Sequence, residues 1–341
     1  MIRIAFNDLP RSGSIIFNFQ FSIFNYKIDA VNNKVIVITG PTATGKTRLA
    51  VEVARLVGGE IVGADSMQIY KYLDIGTAKP DSAERGGIAH HMIDVADPFD
   101  DWSVSRYVEE ASVCCDGILS RGRVPIITGG TGLYIESLLS GRDFAPMGGG
   151  TELRRELEAE YDRVGGDEML TKLAVFDPQS AQKLHANDKK RVVRAFEVYR
   201  STGKTITEHD RESKLIPPRY ESSRWALTFR DRSRLYDRID RRVDIMLEQG
   251  LVDEVKSLLE MGLPERSTAM QAIGYKEIVS ALKGECTIDE AVENVKRESR
   301  RYAKRQLSWL RRDSGLSWIV WEQEPDFMTA ARRISTVFTV D

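Results

Sequence analysis

Val35-Ile36-Val37-Ile38-Thr39-Gly40-Pro41-Thr42-Ala43-Thr44-Gly45-Lys46-Thr47 is the stretch on which the fold of this chain turns. Four β-branched residues in a row predict a buried strand, and Leu49, Val53, Leu56 and Val57 follow at helical spacing. Between them, Gly40, four residues and then Gly45-Lys46-Thr47 fit the spacing of a phosphate-binding loop. Glycines let backbone N–H groups curl round an anion, and the next helix adds the positive end of its dipole. Lys46 can reach an outer phosphate, and the Thr47 hydroxyl can ligate Mg²⁺. The alternative, a plain glycine-rich turn, lacks the strand-to-helix context that this pattern has here. Such a loop recognises phosphates rather than ATP as such.

A chain of 341 residues allows a sizeable core and two domains. Its apolar and charged fractions, 42% and 29%, are those of an ordinary globular protein. With a net charge of −2, a nucleic-acid partner has to be met by a local basic surface. Cys114 and Cys115 are adjacent and Cys286 is alone, so neither a metal-type pairing nor a disulfide framework is expected, which fits the cytoplasm. Cys115 shares a helix face with Val104, Tyr107, Ala111 and Ile118, the pattern of packed core thiols. No run approaches the ~18 apolar residues of a transmembrane helix, so no membrane partner is expected. Residues 1–33 alternate between apolar and polar around Ile15–Phe24 and lack a signal-peptide cleavage site. They read as an N-terminal extension, poorly ordered or loosely docked.

Glu60–Ala64 predicts a second strand, with Asp65-Ser66-Met67-Gln68-Ile69-Tyr70 at its carboxyl end. In an open α/β sheet that end faces the ligand crevice, so Asp65 is placed to act beside bound phosphates; capping a helix is its structural alternative. Asp74–Pro80 reads as a loop, and His90–Pro98 as a short strand whose paired histidines point to opposite faces and make a weak ligand set. A helix over roughly 103–120 leads to Val124–Thr128, a strand ending in Gly129-Gly130-Thr131-Gly132, a turn that lets a substrate approach the backbone. From Gly141 the texture changes. Pro146–Gly150 reads as a hinge, and charged helices over 152–163, 168–176 and 188–201 fill a helical insertion domain, 144–218. Trp225–Phe229 resumes strand character, and the remainder is helical up to a strand-like Trp318-Ile319-Val320. The fold class is α/β, a phosphate-loop (P-loop NTPase-like) parallel sheet over 34–143 and 219–325, with residues 326–341 as a tail.

In order along the chain stand the phosphate loop, Asp65–Tyr70, Asp74–Pro80, Gly129–Tyr134, Asn187-Asp188 with Arg191, Ala272–Glu277 and Ala303–Leu310. This set closely resembles the bacterial tRNA dimethylallyltransferases (tRNA isopentenyltransferases) from about residue 34 to 322. The resemblance implies transfer of a dimethylallyl group from dimethylallyl diphosphate to the exocyclic amine of the adenine 3′ of the tRNA anticodon, with Mg²⁺, by a monomer. It implies a diphosphate cradle of Gly40, Pro41, Thr42, Ala43, Thr44, Gly45, Lys46 and Thr47, with Thr47 on Mg²⁺. Asp65 would be the general base, and Thr42, Lys46 and Arg242 would act on the diphosphate. The anticodon stem-loop would meet Asp65, Ser66, Met67, Gln68 and Thr131 in the core, Arg154, Lys190, Arg191 and Arg194 on the insertion, and Gln271, Gly274, Tyr275 and Lys276 in the C-terminal half.

Charge adds support independent of the resemblance. Eight of the residues from Lys296 to Arg312 are Lys or Arg, and Lys296/Arg300/Lys304 and Arg297/Arg301/Arg305 each repeat at i, i+4, a basic stripe suited to an RNA backbone. Two enzymatic alternatives share the early motifs: an isopentenyltransferase acting on free adenine nucleotides, and a phosphate-loop kinase or NTPase with Asp94 at a Walker-B-like strand end. A non-catalytic RNA-binding protein is the third. The long basic C-terminal half favours tRNA over a free nucleotide.

Overall fold

In the computed structural model the backbone is described for residues 33–141 and 150–339. The extension at 1–32, the last two residues and all but the final residue of the expected Pro146–Gly150 hinge lie outside the described residues. Six strands form one parallel sheet: β1 (Lys34–Thr39), β2 (Glu60–Gly63), β3 (His90–His91), β4 (Pro125–Gly129), β5 (Glu221–Phe229) and β6 (Ser317–Trp321). Their spatial order is β3-β2-β4-β1-β5-β6. A strand's side chains alternate between faces, so Ile36 and Ile38 join one core with Leu227 and Ile319, while Val35 and Val37 join the other with Val62 and Ile127. Burial on both faces is why β1 reads as an unbroken apolar run.

Register brings the chemistry together. Thr39 stands opposite Gly129, and Gly63 opposite Thr128. The turns leaving β1, β2 and β4 therefore emerge side by side at the carboxyl edge, where open α/β sheets bind ligands. Helices α1 (Lys46–Val57), α2 (Ser82–Arg85), α3 (Val104–Ser120) and α4 (Gly132–Ser140) make the early crossovers, with α3 and α4 covering the face of Val35 and Val37.

The chain then leaves the sheet for five helices, α5 (Gly150–Val164), α6 (Gly166–Phe176), α7 (Pro178–Lys183), α8 (Lys189–Thr202) and α9 (Ile206–Ser213). Leu157, Met169, Leu173, Val192, Val193 and Phe196 give them a small core of their own. Asp177 ties α7 to α9. Burial disfavours its charge, but bonds from Thr207 and Ser180 outweigh that and hold its carboxyl below the usual range. The chain returns where it left: the Arg219 N–H donates to the Leu139 carbonyl at 3.0 Å.

After β5 come α10 (Arg232–Glu248), α11 (Leu251–Glu260), α12 (Tyr275–Leu282) and α13 (Ile288–Leu310), and after β6 α14 (Phe327–Thr339). The described part of the expected tail, 326–339, is thus helical from Phe327 and packed. Ala330, Ala331 and Ile334 are buried with Leu49 and Val53 of α1, and enclosing Ile334 alone is worth about 2 kcal/mol. Among the described residues no helix is long and apolar enough to cross a membrane.

Candidate active site

The loop after β1 is built by backbone conformation. Gly40 (φ 149°), Ala43 (φ 63°) and Gly45 (φ 87°) all take positive φ, which turns the chain back on itself. The buried Thr44 hydroxyl donates to the Pro41 carbonyl at 2.8 Å, and the Trp321 indole N–H donates to the Thr44 carbonyl at 3.1 Å. Thr44 and Pro41 thus form the frame, while Thr42, Ala43, Gly45, Lys46 and Thr47 are half-buried on the open side. From the C-terminal half, Gln306 Oε1 accepts from the Thr42 N–H at 3.1 Å and its Nε2 donates to the Gly130 carbonyl at 2.9 Å. One buried side chain therefore joins the turn after β1 to the turn after β4.

Two cations meet over this loop. Lys46 Nζ donates to the Pro41 carbonyl at 2.8 Å, and Arg242 Nη1 reaches Thr42 Oγ1 at 3.4 Å. Burial and the Arg242 charge push the Lys46 ammonium down to about 8, against the pull of Asp65. Burial also lowers Arg242, with Asp65 and Glu84 acting against it. Neither cation has a carboxylate within 4 Å among the described residues, so both are held close to each other without a full counter-charge.

Asp65 begins the turn after β2. Its Oδ1 accepts from the Met67 N–H at 3.0 Å, a turn bond that occupies one oxygen; no helix follows directly, so the helix-capping alternative does not form. Thr131 Oγ1 accepts from the Ser66 N–H at 3.0 Å, locking the turns of β2 and β4 together. Tyr302, on α13, has its hydroxyl pushed up to about 12 by burial and the Asp65 charge, with Thr131 and Gln306 as hydrogen-bond neighbours. Gln68 Nε2 donates to the carbonyls of Thr77 and Ala78, both at 3.1 Å. Asp94 is engaged by Lys79 at 2.5 Å, and β4 ends in glycine without a carboxylate, so the Walker-B arrangement of a kinase does not form.

The more distant expectations divide. Arg154, Lys190 and Arg191 are exposed on the insertion, Arg154 beside Glu158 and Arg191 beside Asp188, while Arg194 bonds Glu197 at 2.9 Å. Gln271 and Lys276 are exposed. Gly274 and Tyr275 are buried, and the Tyr275 hydroxyl donates to Glu254 Oε1 at 2.6 Å, so this ring serves the core and cannot contact RNA as placed. The basic stripe of α13 also splits. Arg300 bonds Asp240 at 2.5 Å and Lys296 bonds Asp244 at 2.8 Å, fastening α13 to α10, whereas Arg297, Arg301, Lys304 and Arg305 stay exposed.

The family model described as IPP transferase matches residues 68–313, and one described as isopentenyl transferase matches residues 33–96. The chain belongs to the IPP transferase family. The tRNA dimethylallyltransferase of Acetivibrio thermocellus is 52% identical over 287 residues, 84% of this chain and 91% of that protein. The crystal structure of the full-length tRNA isopentenylpyrophosphate transferase of Bacillus halodurans matches with a TM-score of 0.68 at 38% identity, over 91% of this chain and 96% of that one. A eukaryotic dimethylallyltransferase seen acting on tRNA matches with a TM-score of 0.78 at 30% identity, over 90% of this chain and 79% of that one.

Several residues of this IPP transferase that shape the site were not singled out from sequence. Gln306 and Tyr302 lie i, i+4 on α13 beside the core positions Ala303 and Leu307, a polar pair that was the available signal. Trp321 and Phe327 lie beyond the matched residues 68–313 and still touch the loop. A Cβ on Gly45 would come within 2.6 Å of the Phe327 ring, over which Arg48 sits at 4.8 Å.

Proposed function

We propose that the chain transfers the dimethylallyl group of dimethylallyl diphosphate to the exocyclic amine of the adenine 3′ of the anticodon in tRNA, releasing diphosphate. The observation that carries this reading is the pair Lys46 and Arg242, two buried-side cations over an anion-binding loop with no carboxylate in ion-pair range among the described residues. Such a site favours a ligand that brings negative charge. As the bond between the prenyl carbon and the diphosphate oxygen breaks, charge grows on the leaving group, and fixed cations and N–H groups stabilise it at about 3 kcal/mol per donor. The adenine amine forms the new carbon–nitrogen bond and gives up a proton, for which the Asp65 carboxylate is the acceptor.

Mg²⁺ fits as a partner of the ligand. Among the described residues no three His, Cys, Asp or Glu side chains gather as metal ligands. The Thr47 hydroxyl plus diphosphate oxygens are the usual donor set for a phosphate-bound Mg²⁺, which would neutralise leaving-group charge. Arg154, Lys190, Arg191 and Arg194 on the insertion, with Gln271, Lys276 and the exposed row of α13, are the surfaces we assign to the anticodon stem-loop. The target base has to leave its stack to reach Asp65, and Ser66, Met67, Gln68 and Thr131 surround its path. Free thiols at Cys114, Cys115 and Cys286 support a cytoplasmic setting.

The test is a transfer assay with radiolabelled dimethylallyl diphosphate, Mg²⁺ and unmodified tRNA, with AMP in a parallel reaction. Label is expected in tRNA, and Asp65→Ala is expected to lower the rate by about 10²–10⁴-fold. Label in AMP alone would assign a nucleotide acceptor instead. ATP hydrolysis with neither acceptor labelled would overturn the assignment.

A further inference from the structure

Glu254 lies on α11, outside the phosphate loop and outside the turn of Asp65, yet its carboxylate is crowded with donors. It accepts three consecutive backbone N–H groups, Asp74 at 3.0 Å, Ile75 at 2.8 Å and Gly76 at 3.1 Å, and the Tyr275 hydroxyl at 2.6 Å. Bonds to an ionised group are the strong ones, so this is a firm anchor. The Tyr275 ring fills the space beside Gly76, where a Cβ would lie 2.5 Å from it. At the other end of the same loop Lys79 donates to the Tyr70 carbonyl at 2.8 Å and to Asp74 and Asp94 at 2.5 Å each.

Between the two anchors sits Ala78, held at φ 46°, a conformation that residues with a side chain seldom adopt unless their surroundings impose it. Its carbonyl accepts from Gln68 Nε2 at 3.1 Å and from Arg242 Nη2 at 3.4 Å. The other terminal nitrogen of Arg242 points to Thr42 of the phosphate loop. The guanidinium therefore spans two loops, and one of them is placed by Glu254.

We infer that Glu254 is a positioning residue for the transfer: by fixing loop 74–79 it aims the Ala78 carbonyl, which in turn holds Arg242 toward the diphosphate and Gln68 toward the base. The inference rests on the proposed reaction, because it takes Arg242 to meet the diphosphate. Glu254→Gln keeps the size of the side chain and turns one acceptor into a donor facing N–H groups. KM for dimethylallyl diphosphate and the dissociation constant of inorganic diphosphate, measured by calorimetry, are expected to rise together by about tenfold, with KM for tRNA within about twofold. Gly76→Ala, which pushes Tyr275 against the loop without altering any charge, is expected to reproduce that pattern. Tyr275→Phe, which removes one donor of four, is expected to give a smaller rise of the same kind.

A folded Glu254→Gln enzyme with unchanged diphosphate affinity would overturn the inference. So would losses that scale with the unfolded fraction seen by circular dichroism. Should Glu254→Gln not fold, Gly76→Ala decides by the same two measurements. A wild-type protein that binds diphosphate but labels no tRNA would sink the proposed reaction, while the calorimetric comparison would still decide the role of Glu254.

Discussion

The turn after β1, Gly40-Pro41-Thr42-Ala43-Thr44-Gly45, and the turn after β4, Gly129-Gly130-Thr131-Gly132, look alike in sequence and stand side by side on paired strands. Their glycines serve different ends. In the first, Gly40 and Gly45 take positive φ, so glycine supplies a conformation. In the second, none of the three takes positive φ, and glycine supplies room. A Cβ on Gly129 would fall 2.1 Å from the Ala64 carbonyl oxygen, on Gly130 2.3 Å from Gln306 Nε2, and on Gly132 2.5 Å from the Trp309 ring. Ala64 fills the space beside Gly129, and α13 fills the space beside Gly130 and Gly132. One glycine-rich texture makes a loop of positive φ in one place and a helix socket in the other.

The largest expected effect separates the two turns by chemistry. Lys46→Met should lower kcat/KM for dimethylallyl diphosphate by about 10³-fold, while thermal melts at pH 7 show a protein no less stable than the wild type, since a half-buried charge disfavoured by desolvation and by Arg242 has gone. A comparable loss of activity in Gly132→Ala without loss of stability would erase the distinction.

The next effect is a pair of rescues. Gly132→Ala should cost about 1–3 kcal/mol by overpacking Trp309, and Trp309→Leu in the same chain should recover most of it by making space. Gly45→Ala meets both Phe327 and an unfavourable φ. Adding Phe327→Leu relieves only the first, leaving about 1 kcal/mol and most of the activity loss. Denaturant melts of the four variants check this, and equal rescue in both turns would break the comparison.

The smallest effect is one of pH. Lys46 is held near 8 in the folded protein against 10.5 unfolded. Between those values the unfolded chain binds the extra proton, so the charged lysine subtracts stability below pH 8 and that cost fades as pH rises through the window. Diphosphate affinity runs the opposite way: it falls above pH 8, and binding there draws a proton from solvent. Calorimetry in buffers of different ionisation enthalpy reads that proton. Gly132→Ala should keep this profile, and Lys46→Met should abolish it.

The sheet core was legible because β1, β2 and β4 are apolar runs closed by glycine, and the phosphate loop because its spacing is set by chemistry. Helix α14 was legible in principle, with Phe327, Ala330, Ala331 and Ile334 at i, i+3, i+4 and i+7, but two of the four are alanines and carry little hydrophobic signal beside Arg332 and Arg333. The partners of Lys296 and Arg300 were not legible. Asp240 and Asp244 repeat at i, i+4 on α10 as those cations do on α13, and only the packing of the two helices shows that they face each other. Tyr275 entered by the resemblance alone, and its burial against Glu254 and Gly76, partners 21 and 199 residues away, has no signal in the local sequence.

The order in which the chain is made gives the bracing of the phosphate loop a further meaning. Residues 40–47 are among the first of the described chain to be synthesised, while Gln306 and Trp321, which hold that loop, lie 264 and 277 residues beyond their partners in it, and Phe327 follows. A ribosome carrying an unfinished chain therefore displays the cradle without its supports. The finished form of the loop waits on residues 306 to 327, and a chain cut short before residue 327 would carry the motif without these braces.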